Sequence, residues 1–121
     1  MGKILDLSQF VGSCLTVTLP CGNSIKINKP TERLKIKLMA TLEEQIQLTA
    51  MEVKGEEIPI ERQIGFIDLL EDLTFEILNN NRSQIKFDLE YVKTYFGEIE
   101  MINALLLAYR EFIEETLSNP N

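Results

Sequence analysis

Apolar residues recur along this chain with two different periods, and the change of period divides it. From Leu15 to Leu19 the order is Leu, Thr, Val, Thr, Leu, and from Ile25 to Ile27 it is Ile, Lys, Ile. Alternation of this kind, with β-branched residues, marks strands that bury one face. Between the two runs, Pro20-Cys21-Gly22-Asn23 supplies a turn, Pro by fixing φ and Gly and Asn by tolerating positive φ. Residues 13–29 are therefore expected to form a β-hairpin. A lone hairpin is marginal in water, so its Leu15/Val17/Leu19 face must pack on something, most simply the helices that follow.

After Pro30 the period lengthens to that of helices. Thr31 is placed to cap a helix over 31–53, with Leu34, Leu38, Met39, Leu42, Ile46 and Ala50 on its inward stripe and Gly55 just past its end. Ile36 and Leu48 lie off that stripe. A linker over 54–60 follows, in which Pro59 turns Ile58 away from helix. The next helix is expected over 61–79, with Phe66, Ile67, Leu70, Leu73 and Ile77 inward, Leu69 and Leu78 on the flanks, and Gly65 marking close packing. Residues 79–83 break the pattern as a loop. Asp88 then caps a short helix over 88–96, and Gly97 stops it. Residues 3–10 hold a short apolar segment of unassigned type, and 119–121 should fray. The fold expected is α+β and predominantly helical: an N-terminal β-hairpin, then three long helices and one short one, in a single domain over 1–121.

The last helix, over 98–117, is the element around which the rest is expected to be organised. Ile99, Ile102, Leu105, Leu106, Tyr109, Phe112, Ile113 and Leu117 share one side, and Met101, Ala104 and Ala108 widen the arc to about 220° at 3.6 residues per turn. One face packed on a small core needs an arc of only about 100°. The surplus points to burial on two sides, against the domain and against a partner. Met101, Leu105, Ala108, Tyr109 and Phe112 are the residues so designated for partner binding, in the manner of an amphipathic helix seated in a groove.

Charge and composition narrow the function classes. The net charge of −7 disfavours nucleic acid, whose binding rests on neutralising phosphates with Lys and Arg, and disfavours anionic membrane surfaces. The longest apolar run, Ala104 to Tyr109, is far short of the roughly 20 residues that span a bilayer. The first ten residues lack the apolar core and cleavage site of a signal peptide, which leads to the expectation of a soluble intracellular protein.

Candidate chemistry is sparse. With no histidine and no Cys-x-x-Cys pair, Cys14 and Cys21 have little to build a metal site with, and they should sit too far apart along one strand to form a disulfide. Cys21 has no base beside it in sequence to make it a nucleophile, and Lys26 is its nearest cation. Glu98, Glu100, Glu111, Glu114 and Glu115 read as a solvated helix face, and no glycine-rich phosphate loop is present. The residues thus describe a binding or assembly domain, with no enzymatic activity, cofactor or metal expected.

Four stretches in order resemble a known family. They are Ile4-Leu5-Asp6-Leu7-Ser8-Gln9-Phe10, the hairpin from Leu15 through Pro20-Cys21-Gly22 to Lys29-Pro30-Thr31, the helix entry Phe87-Asp88-Leu89-Glu90-Tyr91, and the closing Tyr109-Arg110-Glu111-Phe112-Ile113-Glu114-Glu115. Together they resemble the tail assembly chaperones of long-tailed bacteriophages and prophages. The family often has an acidic residue where Cys21 stands, a departure in a turn whose geometry depends more on Pro20 and Gly22. The resemblance implies a chaperone that binds the tape measure protein and keeps it soluble in the host bacterial cytoplasm while tail tube subunits assemble around it, and that is not retained in the virion. It implies as further partners the tail tube protein and a longer form of itself made by frameshifting; Asn119-Pro120-Asn121 is compatible with a C-CCA-AAC slippery heptamer in the gene. Self-association is an expectation from the residues, carried by the wide apolar arc of the last helix. The resemblance marks no individual contact residue. The reading from a different class is a small acidic phage or bacterial regulatory protein that binds and inhibits a host factor.

Overall fold

A computed structural model describes residues 4–7 and 12–118. Its order is β1 (Leu15–Thr18), β2 (Ser24–Ile27), α1 (Glu32–Val53), α2 (Ile60–Asn79), α3 (Leu89–Tyr95) and α4 (Ile99–Ser118). This is the expected α+β fold, predominantly helical, with the hairpin first. The expected fraying of 119–121 lies outside the described residues, as does much of the 3–10 segment; the part described, 4–7, is exposed.

Local chemistry sets the boundaries. Gly22, at φ 96°, closes the turn, where the Gly22 N–H donates to the Leu19 carbonyl at 2.8 Å and the Leu19 N–H to Asn23 at 2.7 Å. The strands pair antiparallel with Leu15 opposite Ile27 and Val17 opposite Ile25. The Thr31 hydroxyl accepts the Leu34 N–H at 3.1 Å and caps α1. At its far end Gly55 takes φ 73°, and the N–H groups of Gly55 and Glu56 return to the carbonyls of Glu52 and Met51, the bonding of a Schellman stop. Asp88 caps α3 by accepting the Tyr91 N–H at 2.7 Å.

α2 is the central element. α1 packs on one side of it and α3 and α4 on the others, while the hairpin packs on the core through Leu19, Ile25 and Ile27. Tyr109, Ile27, Leu70, Leu73, Ile77, Leu78 and Val92 are the most deeply buried side chains. The Tyr109 hydroxyl crosses the core to donate to the Asn28 carbonyl at 3.0 Å, tying α4 to the end of the hairpin. Lys37 of α1 bridges Asp72 and Glu76 of α2 at 3.0 and 2.7 Å, and Arg62 of α2 reaches Glu44 at 2.7 Å.

Two expected stripes are corrected. On α1 the buried residues are Leu34, Thr41 and Leu48, whereas Met39 and Ile46 are 64% and 59% exposed and Ala50 is exposed too. The helix carries apolar residues on several sides, and α2 covers only the face that includes Leu48. On α2, Leu78 is fully buried in the core alongside Ile77, and Ile67 is left half-exposed. Gly65 is not a close contact: it is exposed, and a methyl group added there would meet no atom within 4 Å.

Residues 79–83, expected as a plain loop, are a junction. The Asn28 N–H donates to Asn80 O and the Arg82 N–H to Lys26 O, both at 2.8 Å, so this segment bonds along the free side of β2. The Asn79 side chain spans from the Phe75 carbonyl to both backbone groups of Phe87, and that of Asn81 from Leu78 O to both backbone groups of Ile85.

Candidate functional site

α1 and α4 rest on α2 without closing on each other, and a groove runs between them with α2 as its floor. At one end it holds about 260 Å³ among Leu38, Met39, Leu42, Ile113 and the stems of Lys35 and Arg110. A middle section of about 220 Å³ lies over Leu73, walled by Leu106 and Leu107, and shares Leu38, Leu42 and Arg110 with the first. It continues past Gln45 and Asn103 into a wider section of about 610 Å³ over Phe66 and Ile67, edged by Ile99 and by Glu52, Glu56 and Glu57. From Lys35 to Glu52 along α1 the groove is about 25 Å long at 1.5 Å per residue, the length of some four to five helical turns.

Exposed apolar side chains gather along it. Met39, Ile67, Ile99 and Leu107 are 64%, 46%, 42% and 57% exposed, and all four line the groove. Scattered apolar residues on a surface need no explanation; a row of them along one concave strip is what binding surfaces present. The groove's rim is polar: carboxylates at the wide end, with Lys35, Arg110 and Glu114 at the other.

The five residues designated from the sequence are divided by the structure. Leu105, Tyr109 and Phe112 lie in the core, 6%, 0% and 6% exposed, so their apolar character is spent on folding. Burial pushes the Tyr109 hydroxyl up to about 12. Met101 and Ala108 are half-buried and face a separate cleft between α4 and β1, which Leu105 also lines. The groove residues on α4 are instead Asn103, Leu106, Leu107 and Arg110, on the opposite flank. Leu107 lies outside the apolar arc assigned to the last helix; Leu38, Leu42 and Ile67 were hidden among stripes assigned to the core.

Cys14 is half-buried and Cys21 exposed, and both are free. The backbone N–H of Asn23 draws the Cys21 thiol below its ordinary range, and the Tyr91 hydroxyl lies 3.9 Å from its sulfur. Among the described residues no group of three or more Cys, Asp or Glu converges as a metal site, and no helix is long and apolar enough to cross a membrane. No family model, curated protein or solved structure matches the chain.

Proposed function

We propose that the chain is a phage tail assembly chaperone that binds amphipathic helices of the tape measure protein and holds them soluble in the host cytoplasm while tail tube subunits assemble. The observation that carries this reading is the groove between α1 and α4. A fourth helix laid there would complete a bundle over α2, its apolar stripe meeting Leu38, Leu42, Leu106 and Leu107. Shallow, exposed apolar walls suit reversible capture, and a net charge of −7 keeps the complex dispersed.

The test is co-expression with the tape measure protein. The tape measure should be soluble only when this chain is present. Met39→Glu and Leu107→Glu, both at exposed groove positions, should abolish that rescue while leaving circular dichroism and melting unchanged. Ile36→Glu, at an exposed α1 position outside the groove, should not. An insoluble tape measure in every case overturns the reading and favours the small regulatory binder of a host factor.

A further inference from the structure

Among the described residues, β1 is bonded along one side only. The bond from Leu19 N–H to Asn23 O fixes the alternation of the ladder, so Leu15 and Val17 exchange bonds with Ile27 and Ile25. The N–H and C=O groups of Thr16 and Thr18 therefore point away from β2. Among the described residues no backbone hydrogen bond reaches them from that outer side, whereas the outer side of β2 is bonded by residues 80–82. Proteins usually guard an open edge with a lysine, a proline or a bulge. The sequence of β1, Leu-Thr-Val-Thr, has none of these.

Beside this edge is a cleft of about 350 Å³ between β1 and α4, lined from the helix by Met101, Ala104, Leu105 and Ala108. None of its lining residues is charged, in a chain that carries −7 overall. The apolar arc of α4 is thereby accounted for on three sides: Ile102, Tyr109 and Phe112 face the core, Leu106 and Leu107 the groove, and Met101, Ala104 and Ala108 this cleft.

We propose that β1 and this flank of α4 are the surface on which a second copy of the chain docks, β1 against β1, antiparallel, about a two-fold axis through Val17. Two observations select a second copy. The outward groups belong to Thr16 and Thr18, which stand symmetrically about Val17; a two-fold axis there sets Thr16 opposite the partner's Thr18 and satisfies all of them, with about four new backbone bonds in all. The surface is also free of charge, and strongly acidic copies repel each other wherever they meet through carboxylates. The result is a four-stranded sheet with both α4 helices beneath it, approaching across Ala104 and Ala108. The groove between α1 and α4 stays open on the other flank.

Cross-linking and sedimentation test this on the full chain. In a Cys14→Ser, Cys21→Ser background, Val17→Cys places its sulfur in a non-bonded pair whose Cα atoms are about 4.5 Å apart, within disulfide range. Mild oxidation should give a covalent dimer. Thr16→Cys, about 7–8 Å from its own copy, should not. Thr16→Pro removes an N–H that β2 does not use, so it should leave circular dichroism unchanged and weaken dimerisation at least tenfold by sedimentation equilibrium. A chain that is monomeric at every concentration overturns the proposal, as does a dimer in which Val17→Cys fails to cross-link. Deletion of residues 1–11 that converts a monomer into a dimer would show the chain's own N-terminus on the edge, and overturns it too.

Discussion

Asparagine side chains act at positions 79 and 81 as extra pieces of backbone. Each offers one acceptor and two donors, and each pairs with both backbone groups of a residue farther along, Asn79 with Phe87 and Asn81 with Ile85. Asn81 is buried, so Asn81→Ala should cost about 1–3 kcal/mol by leaving polar groups unpaired. Asn81→Asp should cost more, because a carboxylate cannot donate to Leu78 O or Ile85 O; urea unfolding measures both. Gly65 is the opposite case, an exposed helical glycine with open space around it. Gly65→Ala should raise stability by about 0.5–1 kcal/mol, read by the same melts. Tyr109 couples the core to pH. Burial pushes its hydroxyl up to about 12 in the folded chain, from the ordinary tyrosine value of about 10 in the unfolded one. Above the unfolded value the unfolded chain sheds a proton that the native one keeps, so the stability that burial of the neutral phenol provides is present below pH 10 and is lost as pH rises toward 12. Tyr109→Phe should remove that part of the alkaline loss.

At the scale of elements, the hairpin and the helices were legible because their signals are local. Alternation, the Pro-Cys-Gly-Asn turn, the Thr31 and Asp88 caps and the glycine stop at Gly55 each act within a few residues, and the structure uses all of them. Which face of a helix turns inward is a different matter. α1 has apolar residues around much of its circumference, and periodicity alone could not choose Leu48 over Ile46; the choice belongs to α2, which packs on one side only. The site was missed for the same reason. Leu38, Leu42 and Ile67 look like core until the distance between α1 and α4 is known. The junction at 79–82 was missed because polar residues in a row read as a loop, while their hydrogen bonds reach back to β2 across more than fifty residues.

At the scale of the whole molecule, α4 turns three faces to different surroundings, the core, the groove beside α1 and the cleft beside β1, and the two flanks it does not give to the core are separable. Changes at Leu107 should affect capture of helices and leave self-association alone, and changes at Thr16 should do the reverse. That Tyr109 closes the core from α4 has a consequence for synthesis. A ribosome releases the hairpin before either segment that closes it: the far side of β2 is bonded only when residues 80–82 follow, and the core that holds Leu19, Ile25 and Ile27 is complete only when Tyr109 does. Until α4 has emerged the nascent chain therefore carries an unburied apolar sheet, and α4 is the closing step.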